Sequence, residues 1–482
     1  MITALLFIGV AVVAWFTFRH LREGSLAYLL LAYLLLLPFV SWLTIHVHFA
    51  YWTLVPTSVV IVMALVAFRT RPVEGPALVA YGLTAVVLMY AGVVLAEVFN
   101  PKLASVTLGV RGGRLYLEPI LLFFVGAEVA RRPELRRRVV TVILLAGGVV
   151  VAYALKQGIT GFDLKESIYL RRTFNIALKE HRVMGTMNGA TVLGHYLALV
   201  LLLIAARIMH GLGNAWLRVL EIAVAGACCY GMLLTGQRGV MLAGAAGAVV
   251  VTCVGLARSS TKGWAAVVGQ GLVVVLFLAV VLAITTPIQD RRQAAKPHQS
   301  AFEAARLKFA LLKEGRPESS VQGRLNLLSQ IRTVADVAPF GVGAGFNLTI
   351  NPGRSTRATL LGTSGYGSSA TTLQPQAGDN YYYILMSELG WPGLALFIAI
   401  SLFAITTAVR VALRHPDRDK AMIALAAAGF FVFVVLDAFT VDVMSSAQVA
   451  TYFWLLLGMV GRWRAEDLPG PAPSRAALAS AA

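Results

Sequence analysis

Apolar residues run along this chain in blocks of about 17–23, each ended by a short charged stretch. A helix rising about 1.5 Å per residue crosses a hydrocarbon layer of about 30 Å in about 20 residues, so each block is a candidate membrane span. The blocks fall near residues 2–18, 25–45, 50–68, 76–98, 115–130, 139–156, 189–206, 218–236, 239–257, 265–287, 392–413, 421–440 and 447–461. They lack the period-two alternation of a membrane barrel, and lipid tolerates only helices and closed barrels as spanning structures. The pattern predicts an all-α, polytopic integral membrane protein with about 12–13 transmembrane helices and one large extracytoplasmic loop. Helices fill 1–287, an insertion occupies 288–391, further helices fill 392–464, and 465–482 reads as a disordered cytoplasmic tail. Residues 381–391 are expected to add a re-entrant or interfacial piece.

Composition agrees. Of 482 residues 58% are hydrophobic and 13% charged, and mean hydropathy is +0.75, which excludes a soluble domain. The net charge of +18 does not imply nucleic acid, because much of it sits in short loops that set orientation. Arg19 and Arg22, Arg69 and Arg71, the basic run 131–138, Arg207 and Arg218, Arg258 and Lys262, Arg414 with Arg418 and Lys420, and Arg462 with Arg464 occupy alternate connections. The positive-inside rule places them in the cytoplasm. Segments 46–49, 99–114, 157–188, the corner 237–239, 288–391 and 441–446 then face outward. The N-terminus comes out external, as an uncleaved first helix, and the C-terminus cytoplasmic. Cys228, Cys229 and Cys253 lie inside apolar runs and read as packing residues.

Charge outside the membrane is what needs an explanation. The insertion is rich in arginine and lysine, and the 157–188 segment adds Lys165, Arg171, Arg172, Lys179 and Arg182. Long loops escape the positive-inside rule, so this is either a solvated face near anionic headgroups or a site for an anionic substrate, with phosphate the natural match for arginine. Arg238 stands in TGQRG between two apolar runs, where a guanidinium needs a polar cavity or an anion. Arg324 follows Gly323, and the turn 339–346 (PFGVGAGF), with Gly343 at its centre, permits close backbone approach to a ligand. Arg182 precedes a membrane helix in HRVMGTMNG.

TGQRG, QGRLNLLSQI, APFGVGAGF and DNYYYILMSELGWPG, in that order and spacing, resemble the O-antigen ligase and bacterial polysaccharide polymerase superfamily, and RVMGTMNGATVLGHYLA resembles its Arg-x-x-Gly-Thr-x-x-Asn stretch. The resemblance runs from Arg182 to Leu394. It implies a metal-independent glycosyltransferase of the bacterial inner membrane, without a cofactor, with its active site facing the periplasm. Such an enzyme moves glycan from undecaprenyl pyrophosphate to an acceptor hydroxyl. Its partners are the lipid-linked donor, a glycan or lipid acceptor, the membrane itself and, for a polymerase, a chain-length regulator. Arg238 and Arg324 match the paired arginines that hold pyrophosphate. Asp379 stands where the family commonly has its His base, followed by Asn380 and Tyr382. That departure favours a polymerase over a ligase. Arg182, Asn380, Tyr382 and Gly343 are the accompanying substrate-binding candidates.

The chemistry is coherent on its own. Cleaving a sugar–pyrophosphate bond leaves a polyanion that preorganised arginine stabilises, and a carboxylate takes the acceptor's proton. Asp379 has a second reading, as N-cap of the helix beginning at Tyr381. Tyr381, Tyr382 and Tyr383 read as an interfacial aromatic belt or as a sugar-stacking surface. His46, His48, His181, His195 and His298 show no metal-ligand spacing, and His181 is the stand-in base. A lipid-linked oligosaccharide flippase is the rival from another class. Against it, acids in the apolar runs are few and terminal, as at Glu97, Glu128, Glu221 and Asp437.

Overall fold

The computed structural model describes residues 25–47, 54–69, 81–103, 105–173, 182–212, 214–258, 331–332, 334–336, 338–349 and 380–466. Among these residues the fold is all-α, and the chain is a multi-pass membrane protein: seven helices are long and apolar enough to cross a membrane. In chain order the helices are α1 (Ser25–Leu36), α2 (Val40–Val47), α3 (Leu54–Arg69), α4 (Tyr81–Val98), α5 (Val106–Arg131), α6 (Pro133–Thr160), α7 (Leu164–Thr173), α8 (Ala190–Met209), α9 (Ala215–Thr235), α10 (Arg238–Arg258), α11 (Tyr381–Arg414), α12 (Arg418–Asp437) and α13 (Ala447–Glu466). A 3-10 turn at Leu37–Phe39, opened by Pro38, joins α1 and α2 into one span. The expected spans 2–18 and 265–287, most of the insertion, and the tail beyond Glu466 lie outside the described residues.

Two departures from the hydropathy reading shape connections expected to face outward. Helix α5 starts at Val106 rather than near 115, because Ser105 caps it by accepting the N–H of Leu108, so the helix takes in Arg111 and Arg114 ahead of the apolar run. The 157–188 segment contains α7, which has exposed Leu164 and Ile168 beside Lys165, a composition suited to the membrane–water interface. An Asp163–Glu166 capping box starts it: each side chain accepts the other's backbone N–H, at 2.8 and 2.9 Å.

The centre of the bundle is α5 against α13, with α8 and α12 alongside. These two core helices carry polar residues because they face protein rather than lipid. Glycines allow their close approach. A Cβ at Gly126 would collide with the Leu455 carbonyl, and one at Gly458 with the Phe123 carbonyl. Helix α9 is the opposite case, with Trp216, Val219, Leu220 and Ile222 exposed along it.

The connections sort to two ends. At one, Arg136 and Arg137 pair with Asp417 and Asp419 at 3.2 and 2.6 Å, Arg258 donates to the carbonyl of His415, and Trp463 Nε1 donates to that of Ala130. Burial acts to raise the Asp417 carboxyl, but the Lys420 and Asp419 N–H groups and Arg136 outweigh it and hold the group below the usual carboxylate range. At the other end lie 182–189, 235–239, 338–349, 380–390 and 437–446, joined by the contacts described below.

Gly126→Ala and Gly458→Ala should each lower the thermal midpoint of the detergent-solubilised protein, at the ~1–3 kcal/mol scale of overpacked cores. Gly148→Ala on α6, where a Cβ meets nothing within 4 Å, should be neutral or stabilising by up to about 1 kcal/mol.

Candidate functional site

Residues 381–389 form a short helix of their own at the start of α11. Asn380 caps it, its Oδ1 accepting the Tyr383 N–H at 3.1 Å. Gly390 ends it in a left-handed conformation, φ 64°, and Pro392 then opens the membrane span that follows. Nine residues cover about 13 Å, and every one is buried.

The glycine-rich turn 339–346 closes on the far end of this short helix. Val342 and Gly343 donate their N–H groups to the carbonyls of Ser387 and Glu388, at 2.8 and 3.1 Å, and Trp391 donates to the Pro339 carbonyl at 2.8 Å. Orphan carbonyls of a helix end are thereby satisfied by loop amides. Gly341, Gly343 and Gly345 take φ of 90°, 118° and 93°, which only glycine adopts without strain. At Gly345 the turn also meets Gly112 of α5 backbone to backbone.

Glu388 is the centre of this contact. It is buried, and it accepts from Gly345 N at 3.0 Å, Asn347 N at 2.8 Å, Asn347 Nδ2 at 3.2 Å and Tyr116 Oη at 2.8 Å. A buried carboxylate is tolerated when donors surround it in this way. Tyr90, Tyr116, Tyr381, Phe397 and Trp454 line an aromatic cavity next to it. Asp442, in the α12–α13 connection, has its carboxyl pushed up to about 7, first by the protein that withdraws it from water and then by the nearby Glu388.

The near end of the short helix rests on the last turn of α12. Tyr381 N donates to the Ala438 carbonyl at 2.8 Å, Asn380 Nδ2 to Phe439 at 3.3 Å, and Tyr382 Oη to Val435 at 2.8 Å. The same turn carries Asp437, which pairs with His195 of α8 at 2.5 Å and accepts Thr440 Oγ1. Helix α9 ends at Gly236, left-handed at φ 65°, and α10 starts at Arg238. Gly239 packs directly on Thr440 and Asp437. Val183 N donates to the Leu234 carbonyl at 3.2 Å, which sets Arg182 beside the same corner.

The structure thus gathers Arg238, Asn380 and Tyr382 around the end of α12, with Arg182 in the segment that bonds the end of α9 and Gly343 at the other end of the short helix. Arg238 is exposed and Arg182 half-buried. Asn380 and Tyr382 are buried, and Tyr382 packs on Phe439 with ring centroids 4.5 Å apart. Gly343 is filled against Leu103. Asp379, Arg324 and His181 lie outside the described residues. The helix cap that the sequence offered to Asp379 belongs to Asn380. The three tyrosines are buried in protein rather than arrayed as an interfacial belt, because the short helix packs inside the bundle.

Two groups escaped the sequence reading, Glu388 and the His195–Asp437 pair. Glu388 was in view only as part of DNYYYILMSELGWPG. His195 and Asp437 each looked solitary in an apolar run, 242 residues apart. The structure also brings His46, Asp163 and Glu166 within 4.8 Å of one another, a set that offers metal-ligand atoms. Those atoms serve α7 already: His46 Nε2 meets Asp163 at 2.8 Å, and Glu166 accepts from Tyr153 and Gln157. No protein-family model matches the chain, and no curated protein matches it.

Glu388→Ala should strand the Gly345 and Asn347 amides and cost about 3–5 kcal/mol, the scale for removing one partner of a buried charged network. Glu388→Gln should cost about 1–3 kcal/mol, since the amide opposes at least one backbone donor. Hydrogen exchange at Gly345 and Asn347 reads both, with the order wild type, Gln, Ala from slowest to fastest.

Proposed function

We propose that this chain is a glycosyltransferase of the bacterial inner membrane, a member of the O-antigen ligase and polysaccharide polymerase superfamily. It acts at the periplasmic face on glycan repeats linked to undecaprenyl pyrophosphate. The observation that carries this reading is the convergence at one end of the bundle of RVMGTMNG, TGQRG, PFGVGAGF and NYYYILMSELG, residues 380–390, segments far apart in sequence. An arginine at the first position of α10, with Arg182 in the segment bonded to the end of α9 just before it, suits a pyrophosphate leaving group. Such charge, fixed before reaction, stabilises the developing polyanion without a metal.

In this scheme Arg238 and Arg324 hold the pyrophosphate and Arg182 supports them. Asp379, one residue before the buried cap Asn380, takes the proton of the acceptor hydroxyl as its oxygen attacks the anomeric carbon. The sugar–phosphate bond breaks and the lipid pyrophosphate departs with the electron pair. Carboxylate rather than imidazole at this position favours a polymerase, whose acceptor is another lipid-linked glycan.

Protein reconstituted in liposomes with a synthetic lipid-pyrophosphate glycan, and no added metal, should elongate it. Arg238→Ala and Arg324→Ala should each slow turnover by about 10²–10³-fold, the scale for losing one preorganised charge-stabilising donor. Lysine should rescue only in part, since it lacks the planar fork. Asp379→Asn should lose most activity with little change in stability. Full activity of Asp379→Asn removes that residue as the base and points to His181, and a fully active, correctly inserted Arg238→Ala contradicts the pyrophosphate role.

A further inference from the structure

We infer that the buried His195–Asp437 pair is a positioning device for Arg238, fixing the aim of that guanidinium at the donor pyrophosphate. The inference rests on the donor class proposed above. Asp437 closes α12 and His195 lies early in α8, both fully buried. One carboxylate oxygen meets His195 Nε2 at 2.5 Å and the other accepts Thr440 Oγ1 at 2.5 Å, so both are spent. His195 Nδ1 is buried and has no hydrogen-bond partner among the described residues, so Asp437 is the polar group that orients the ring.

What this pair grips is the first turn of α10. Gly239, immediately after Arg238, lies so close that a Cβ would strike Thr440 Oγ1 and then Asp437 Oδ1. Gly194, immediately before His195, lies in the same way against Val240. The turn that carries Arg238 is therefore held between α8 and the end of α12. An apolar contact of similar size would pack these helices equally well, and often more stably. Directed hydrogen bonds to both oxygens of Asp437 add direction: they fix how the turn is rotated, which an apolar surface leaves loose. The same α12 turn receives Tyr381 N and Asn380 Nδ2, so the start of the short helix is registered to Arg238 through one structural element.

The test is a double-mutant cycle read by binding, with full-length protein in nanodiscs and undecaprenyl pyrophosphate lacking glycan as the probe. Arg238→Ala should weaken binding roughly tenfold or more, as expected for loss of a charged hydrogen-bonding group. Asp437→Ala should weaken it roughly three- to tenfold in the wild-type background and add no further loss to Arg238→Ala, the signature of residues that act as a unit. Asp437→Asn can still accept from Thr440 and donate to a neutral His195, so it should restore most of the affinity lost in Asp437→Ala. Thr440→Val, which keeps the shape and removes the hydroxyl, runs the same cycle if Asp437→Ala does not insert. Equal losses in both backgrounds would mean a role independent of Arg238 and overturn the inference. Binding that Arg238→Ala weakens but neither Asp437→Ala nor Thr440→Val changes overturns the positioning role alone. A wild-type protein that binds no lipid pyrophosphate overturns the donor reading together with it.

Discussion

A carboxylate buried inside a membrane bundle must be surrounded by donors or it does not stay charged and buried. Glu388 meets that demand with two loop amides, a side-chain amide and a tyrosine hydroxyl. Those donors come from the glycine-rich turn and from α5, so satisfying one charge ties the insertion to the helical core. The consequences spread from there. The turn has to approach a helix end closely, which explains three glycines at positive φ. The short helix then has to stop at Gly390 so that the chain can re-enter as a membrane span.

The other end of the short helix obeys a different constraint. It lies on the final turn of α12, where backbone carbonyls no longer used within that helix accept from Asn380, Tyr381 and Tyr382. Asp437 in that turn links α8 and α10 to the same point. A segment of nine residues therefore connects two polar networks, one that anchors the insertion and one that borders Arg238. The arrangement suits a site that is assembled from distant pieces of chain yet held rigidly, as catalysis by preorganised charge requires. In the proposed reaction the rigid parts orient Arg238, while Asp379, the residue before Asn380 in sequence, takes the acceptor's proton.

Much of the fold was legible because lipid imposes a simple rule: long apolar runs become helices, and charged loops alternate. Eleven of the thirteen expected spans correspond to described helices, and among the described residues the basic connections at 131–138, 258 and 414–420 meet at one end. The misreadings have local causes. A serine cap at Ser105 started α5 earlier than hydropathy alone indicated, and a capping box turned part of an expected loop into α7. The site was legible as an ordered set of motifs on one side, but its wiring was not. Nothing in sequence spacing reveals that His195 meets Asp437, or that Glu388 is enclosed by donors from residues 116, 345 and 347. Such contacts depend on which helices are neighbours, and apolar periodicity does not encode that.

The most direct test of glycan transfer by this protein is the surface and lipid-linked glycan of a strain that lacks it. Loss of a polymerase is expected to leave single repeats on the acceptor in place of long chains, restored by the wild-type gene and not by Arg238→Ala. Long polymer stranded on the lipid carrier would instead identify the transfer as ligation. An unchanged glycan profile in the deletion strain would contradict the proposed function altogether.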